Sequence, residues 1–146
     1  MIVTFCGHRQ ISNQAGIADW LDLMLPSLIE GGATTFYLGG YGDFDQLAAA
    51  AVMRQKVSYP SIEAVLVLPY PNQKIKDSNY DQTAYPIPGK VPPRLAIVKR
   101  NQWMVEQADV VISAVIHNWG GAAKTLHHAR QKGKVIFQYP LRDGEP

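Results

Sequence analysis

The chain has 146 residues, of which 47% are hydrophobic and 18% are charged, and its formal net charge at pH 7 is +2. This length fits one domain with a substantial core, and the longest apolar runs fall well short of the ~20 residues that span a bilayer. The small net charge, with Lys and Arg scattered along the chain, argues against a nucleic-acid partner, because such proteins usually carry a basic patch.

The first half of the chain alternates predicted strands and helices. Met1 to Cys6 is an apolar run, which we interpret as a buried strand rather than a signal peptide because no basic segment or cleavage site accompanies it. Apolar residues recur at helical spacing from Gly16 to Ile29, where Pro26 is expected to kink or shorten the helix. A second strand, Thr34 to Leu38, precedes a helix that runs from Gln46 to about Lys56.

The second half continues the same alternation. Ile62 to Leu68 is predicted to be a third strand, and Leu95 to Gln107 a helix. Val110 to Ile116 is an almost wholly apolar fourth strand, followed by a helix from Ala122 to Gln131. The last predicted strand is Lys134 to Tyr139.

Two segments do not fit this alternation. Residues 71–93 contain five prolines and many polar residues, and so long an irregular loop is often a functional lid. A short extra strand from Thr83 to Ile87 is an open alternative within it. Residues 140–146 are polar and are expected to be a flexible tail. The whole chain, 1–146, is otherwise predicted to be a single domain.

The order of elements predicts a fold of the α/β class. Apolar strands that alternate with helices indicate a Rossmann-like three-layer sandwich, with a mainly parallel five-stranded sheet and helices on both faces. Ligands of such sheets bind outside the carboxyl ends of the strands, where the strand order reverses. This rule brings three segments to one crevice, namely Gly7-His8-Arg9, Gly39 to Asp45 and Asn118 to Thr125.

Two glycine turns lie in this predicted crevice. Gly39, Gly40 and Gly42 connect a strand to a helix and allow the backbone N–H groups to approach a ligand closely. Gly120 and Gly121 precede a second helix in the same way. The alternative that these glycines only make tight turns stays open.

Charged residues follow the same strand ends. The guanidinium group of Arg9, next to His8, suits a phosphate or a carboxylate. We expect Asp43 to cap the following helix and Asp45 to contact a ligand or an arginine. Arg100 could reach the crevice from its helix. A surface charge is the alternative for both arginines.

Several well-known motifs are absent. The first strand lacks the complete glycine fingerprint of dinucleotide-binding proteins, and Ala123 stands where a phosphate loop needs glycine. The adjacent His127 and His128 would point about 100° apart on a helix and could not share a metal ion. We therefore expect no metal and no other cofactor. The only cysteine, Cys6, excludes a disulfide within the chain and favours a cytoplasmic protein.

Taken together, the motifs resemble the SLOG superfamily of Rossmann-like domains. This group contains YpsA-like proteins, to which the likeness is greatest, the DprA/Smf DNA-processing proteins and the LOG phosphoribohydrolases. The resemblance covers most of the chain apart from the proline-rich loop. It rests on four segments: Phe5-Cys6-Gly7-His8-Arg9, Gly39-Gly40-Tyr41-Gly42-Asp43-Phe44-Asp45, Arg100-Asn101-Gln102-Trp103-Met104-Val105, and Trp119-Gly120-Gly121.

The resemblance implies a nucleotide or nucleotide-derived ligand in the crevice. In LOG enzymes, which cleave the N-glycosidic bond of nucleoside monophosphates, an arginine and a glutamate carry catalysis. Arg100 matches that arginine, but no carboxylate lies between Gly121 and Gln131 to match the glutamate. The predicted ligand-binding residues are Gly7, His8, Arg9, Gly39, Gly40, Gly42, Asp45, Arg100, Asn101, Gly120, Gly121 and Ala122.

Three functions are compatible with this sequence. The first is a sensor or signalling module that binds a nucleotide-like molecule. The second is a nucleotide N-glycosidase, with Arg100 and Asp45 as catalytic candidates and Asp43 as an alternative acid. The third, single-stranded DNA binding, is disfavoured by the charge. We also expect a homo-oligomer, a dimer or tetramer, because the aromatic residues exceed the needs of a small core. These residues are Trp20, Trp103, Tyr70, Tyr80 and Tyr85.

Overall fold

The computed structural model of the protein describes residues 1–71, 80–87 and 89–140. The expected flexibility of the tail beyond residue 140, and much of the expected lid at 71–93, lie outside the described residues. The helices are α1 (Gln14–Glu30), α2 (Gly42–Lys56), α3 (Pro93–Gln107) and α4 (Gly121–Gln131). The strands are β1 (Ile2–Gly7), β2 (Thr35–Leu38), β3 (Glu63–Val67), β4 (Gln82–Ala84), β5 (Val110–Ala114) and β6 (Val135–Gln138).

The strands form one parallel sheet in the order β4-β3-β2-β1-β5-β6. This arrangement confirms the Rossmann-like fold class, but the expected count of five strands is wrong because the sheet has six. The additional strand is β4, which pairs with β3 in the register Val65↔Gln82. Only three residues long and partly exposed, β4 has none of the apolar length by which buried strands are recognised in a sequence.

Alternating side chains of the strands pack into two helical layers. Val3 and Phe5 of β1 join the larger core, which is covered by α1 and α2, whereas Cys6 faces the layer of α3 and α4. Phe36 and Phe44 are fully buried in the larger core, and each contributes roughly 2–3 kcal/mol by leaving water. The helices thus cover the two faces of the sheet, whereas the carboxyl ends of the strands lie at an edge between these two layers.

Helix α1 runs through Pro26 and ends at Glu30, so the expected shortening at this proline does not occur. Proline at this position removes one backbone hydrogen bond of the helix. The apolar stripe of Ile17, Leu21 and Leu25 is buried against the sheet, and this packing outweighs that loss. None of the described helices is long and apolar enough to cross a membrane.

Two tryptophans that suggested an oligomer have aromatic partners within the chain. The ring of Trp20 lies edge-on to Tyr139, with centroids 5.4 Å apart. Trp103 stacks on Tyr37 at 5.3 Å. Since the fold itself uses these rings, they no longer argue for a subunit interface, and the homo-oligomer stays a prediction.

Candidate ligand site at the carboxyl ends of the strands

A cavity of about 260 Å³ opens at the carboxyl ends of the strands. It lies at the end of β1, which pairs with β2 on one side and with β5 on the other. The chain forms the half of the sheet beside β2 first and then crosses β1 to form the half beside β5. Crevices of this kind are the usual ligand sites of doubly wound sheets. Its lining consists of Thr4, Phe5, Cys6, Gly7, His8, Arg9, Gly39, Tyr41, Asp45, Ile97, Arg100, Asn101, Met104, Val105, Trp119, Gly120, Gly121, Ala122 and Thr125.

All of the predicted ligand-binding residues except Gly40 and Gly42 line this cavity. Gly42, with a φ of +82°, instead packs on the chain at Arg9, where a Cβ atom would lie 2.6 Å from the Arg9 Cα atom. Gly40 also has a positive φ, of +77°, and so serves the turn. The three distant segments therefore meet at one cavity, but two of the glycines shape the turn rather than the lining.

Some residues that line the cavity were not predicted, although the helical spacing of α3 identifies two of them. Ile97 and Met104 lie three residues before and four residues after Arg100, and such positions share one face of a helix. Trp119 lies in the segment from Asn118 to Thr125 that was expected at the crevice, but it was not among the predicted ligand-binding residues. The helical spacing of α3 therefore contained a usable signal for Ile97 and Met104, and the position of Trp119 after a strand contained one for the rim.

The amino end of α4 faces the cavity without a side-chain cap. The helix begins at Gly121, and its preceding residue, Gly120, has a φ of +90° that favours glycine. A Cβ atom added to either glycine would meet no atom of the described part of the chain within 4 Å, so both border open space there. Unpaired N–H groups and the positive end of the helix dipole are therefore directed at space that an anion could occupy.

Arg100 is buried at the cavity wall, with 2% of its surface exposed, and it is not a solvated charge. Its Nη1 atom donates hydrogen bonds to the carbonyl oxygens of Gly39 (2.9 Å) and Val67 (2.7 Å). Its Nε atom donates to Oδ1 of Asn101 at 2.8 Å. Burial lowers the pKa of Arg100, and the neighbouring Asp45 opposes this shift. The guanidinium thus ties the carboxyl ends of β2 and β3 to α3.

Asp45 is half-buried, and its carboxylate lies beside Gly39, near the guanidinium of Arg100. Its Oδ2 atom accepts a hydrogen bond from the backbone N–H of Tyr41 at 2.9 Å. Burial raises the pKa of Asp45 to about 6, although that hydrogen bond and the charges of Arg100 and Arg9 favour the ionised form. A Cβ atom on Gly39 would lie 2.8 Å from Asp45 Oδ2, so only glycine allows the carboxylate this close.

The prediction that Asp43 caps α2 is wrong. The helix begins at Gly42, its N-cap residue is Tyr41, and no side chain caps it. Because the helix starts before Asp43, that side chain lies in the first turn, where its Oδ2 atom accepts from the backbone N–H of Ile11 at 2.8 Å. Asp43 therefore fixes the segment after β1, and Asp45 is the carboxylate that reaches the cavity.

We predict that Asp45→Asn stabilises the protein in a pH-dependent way. The folded state holds the Asp45 proton up to about pH 6, whereas the ordinary pKa is 3.8, so this group lowers the stability of the wild type as pH rises between these values. At pH 8 the variant should gain up to ~3 kcal/mol in unfolding free energy, and the gain should vanish near pH ~4. Urea unfolding of both proteins at several pH values measures this difference, and a gain independent of pH would contradict it.

His8 fixes the segment that leads to the second glycine turn. Its Nε2 atom accepts hydrogen bonds from the backbone N–H groups of Ile116 (2.8 Å) and His117 (3.2 Å). The ring is therefore neutral, with its proton on Nδ1. Burial and the neighbouring His117 both lower the pKa of His8, which agrees with a neutral ring.

An aromatic column of His8, His117 and Trp119 stands at the cavity rim. The ring centroids of His8 and His117 are 4.8 Å apart, and those of His117 and Trp119 are 4.6 Å apart. The last two rings are nearly parallel, with an interplanar angle of 15°. Trp119 is 67% exposed although it also lines the cavity. A planar ligand group could extend this column.

The described residues offer no site for a metal ion. Within 1–71, 80–87 and 89–140, no group of three or more His, Cys, Asp or Glu side chains is arranged to hold one. Cys6, which lines the cavity, is 4% exposed, and burial raises its pKa to about 12. The protonated thiol donates to the carbonyl oxygen of Ala122 at 3.1 Å and holds the start of α4 against β1.

This chain has the same fold as solved structures of DNA processing protein A. The Helicobacter pylori protein, described as having a distinctive mode of single-stranded DNA binding, matches with a TM-score of 0.70 and 18% identity over 99% of this chain and 67% of its own. DNA processing protein A from Streptococcus pneumoniae matches with a TM-score of 0.74 and 19% identity, over 98% of this chain and 51% of its own. This chain thus spans about half the length of the second protein.

A third protein of the same fold binds a different ligand. The molybdenum cofactor binding protein of Rippkaea orientalis matches with a TM-score of 0.62 and 18% identity, over 94% of this chain and 74% of its own. No protein-family model matches the sequence, and no curated protein matches it either. The Rossmann-like fold expected from the resemblance to the SLOG superfamily is confirmed, and at these identities the comparison concerns the fold alone.

These matches correct the expectation that nucleic acid is not a partner. That expectation rested on the net charge of +2 and the scattered basic residues. DNA processing protein A, whose Helicobacter pylori form binds single-stranded DNA, has this same fold along almost the whole of the present chain. Net charge is a property of the whole chain, whereas binding depends on local charge, so the argument from composition is wrong.

Proposed function

We propose that this chain binds a nucleotide or nucleotide-derived small molecule in the cavity, as a sensor or signalling module. The observation that carries the proposal is the amino end of α4, where Gly120 and Gly121 border open space in the cavity wall. A phosphate there would accept hydrogen bonds from backbone N–H groups at the positive end of the helix dipole.

Two further features support a phosphate-bearing ligand. Arg9 is exposed at the cavity, and within the described residues it forms no ion pair with a carboxylate. It is therefore available to an anion, for which its planar guanidinium is suited. The carboxylate of Asp45 also lines the cavity, where it could accept hydrogen bonds from ribose hydroxyls.

A binding role fits the cavity better than hydrolysis of an N-glycosidic bond. Glycoside hydrolysis usually employs two carboxyl groups, and among the described residues that line the cavity Asp45 is the one carboxylate. Arg100 is engaged by two backbone carbonyl oxygens and Asn101, so it supports the wall rather than reaching toward a substrate. The raised pKa of Asp45, about 6, is the observation that keeps an enzymatic role as an alternative.

Isothermal titration calorimetry with nucleoside mono- and diphosphates, NAD and ADP-ribose tests this function. We expect saturable heat with at least one compound and a matching rise in melting temperature, because a ligand at ~100 times its Kd stabilises the folded state by ~2.7 kcal/mol. Chromatography of the same samples reports free base, whose release would assign the hydrolase. The absence of heat with every compound would contradict the proposal.

Single-stranded DNA binding is the second candidate, and the shared fold with DNA processing protein A favours it. Fluorescence anisotropy of a labelled oligothymidylate measures it directly. Binding to DNA phosphates should weaken steeply as salt is raised, since counterion release contributes most of the affinity. An anisotropy that stays constant up to high protein concentration at low salt would exclude this candidate.

A further inference from the structure

The aromatic column of His8, His117 and Trp119 ends in the ring of Trp119, which lies largely outside the core. Trp119 keeps 67% of its surface in contact with water, so it contributes little to the core. Its nearly parallel partner, His117, lies 4.6 Å away between ring centroids. Large exposed aromatic side chains beside a cavity commonly mark a binding surface.

Hydrogen bonds of His8 hold the aromatic column in place. His8 accepts two backbone hydrogen bonds, from Ile116 and His117, and so fixes the segment that carries the other two rings. Trp119 directly precedes Gly120, where the open amino end of α4 begins. The outermost ring and the proposed phosphate position are therefore adjacent along the chain.

The size of the cavity also favours an extended ligand. Pockets that enclose a drug-sized molecule usually measure about 300–1,000 Å³. The cavity here measures about 260 Å³. A molecule with a phosphate, a sugar and a base would leave part of itself at the rim, where the Trp119 ring lies.

We propose that Trp119 is a base-stacking subsite, on which the nucleobase of the bound ligand packs while its phosphate occupies the amino end of α4. The inference rests on the proposed function and adds a role for the rim. Stacking tolerates any base, because every base has a π-face, so this subsite supplies affinity rather than base specificity. The recognised chemistry is a base with an attached phosphate, which either a free nucleotide or a DNA strand can supply.

The test compares AMP with ribose 5-phosphate, which has the same phosphate and sugar but no base, using wild type, Trp119→Ala and Trp119→Phe. For AMP we expect Trp119→Ala to weaken binding about 5- to 150-fold, since stacking contributes ~1–3 kcal/mol per base and each ~1.4 kcal/mol is a factor of ten. Trp119→Phe should keep most of the affinity. Ribose 5-phosphate should bind all three proteins alike. An oligothymidylate, measured in parallel, shows whether a strand uses the same ring.

The outcomes separate the two proposals. Equal affinity of AMP for wild type and Trp119→Ala would overturn the stacking subsite and leave the proposed function intact. An equal loss for AMP and ribose 5-phosphate would also overturn it, because the ring would then act through the shape of the glycine turn. If neither compound nor the oligonucleotide binds the wild type, the stacking subsite is overturned, whereas the proposed function fails only if the calorimetric panel also gives no heat. The unfolding midpoint of Trp119→Ala should stay close to that of the wild type, because the ring is mostly exposed.

Discussion

Gly121→Asp should abolish binding of phosphate-bearing ligands without destabilising the protein. A carboxylate at the first position of α4 would occupy the space that we assign to the phosphate, and like charges brought together cost several kcal/mol. We expect the Kd for a mononucleotide to rise at least about thirtyfold, which corresponds to ~2 kcal/mol. The same carboxylate interacts favourably with the helix dipole, so the unfolding free energy should rise by ~0.3–1 kcal/mol.

Matched variants at the same position separate charge from size. Gly121→Asn has nearly the size of Gly121→Asp but no charge, and Gly121→Ala adds a Cβ atom that meets nothing within 4 Å. Calorimetry should show Ala near wild type, Asn weakened moderately and Asp without measurable binding. Wild-type affinity in Gly121→Asp would show that the ligand's anionic group lies elsewhere and would remove the main support for the proposed function.

Arg100→Met should be strongly destabilising, with a loss of ~3–5 kcal/mol in unfolding free energy. The change leaves the buried carbonyl oxygens of Gly39 and Val67 without their charged donor, and each unsatisfied group costs ~1–3 kcal/mol. Removing the positive charge also raises the pKa of Asp45 further, because Arg100 favours its ionised form. The loss should therefore be larger at pH 8 than at pH 5, where Asp45 holds its proton.

Lys99→Met is the control for this prediction, because Lys99 is the preceding cation on the same helix and is exposed. Substitutions at such positions usually change stability by less than ~0.5 kcal/mol. Urea unfolding at pH 5 and at pH 8 measures the unfolding free energies of the wild type and of both variants. If Arg100→Met is no less stable than Lys99→Met, the guanidinium does not hold β2 and β3 together as described.

The sequence predicted the positions of the glycine turns well because a strand, a glycine and a helix follow one another in a fixed order. The rule that ligands meet the carboxyl ends of parallel strands then brought Gly7, Gly39 and Gly121 together, and all three line the cavity. This step needs only topology. It does not require knowledge of any side-chain conformation.

The roles of individual side chains were harder to predict because they depend on contacts between distant segments. Asp43 and Asp45 are two residues apart. Which one bonds to the chain at Ile11 and which one reaches the cavity depends on where α2 begins. The burial of Arg100 depends in the same way on carbonyl oxygens at Gly39 and Val67. No local pattern contains this information.

The sixth strand, which the sequence left as an open alternative from Thr83 to Ile87, and the unbroken helix have the same physical origin. β4 has little apolar surface, yet it is held because Asp81, just before it, donates its N–H to the Ala64 carbonyl and accepts from the Ala64 N–H and from Lys56. α1 tolerates Pro26 because its apolar face is buried. In both elements tertiary contacts override the local preference.

The position of β1 has a consequence for how the chain folds during synthesis. This strand precedes the other described strands along the chain but lies in the middle of the sheet, and its neighbour β5 (Val110–Ala114) follows it by about a hundred residues. Until β5 emerges from the ribosome, the backbone edge of β1 on that side is unpaired, and unpaired apolar edges promote aggregation. We therefore expect nascent chains that stop before residue 110 to depend on chaperones, and the cavity to form only after Thr125, which also lines it, has been made.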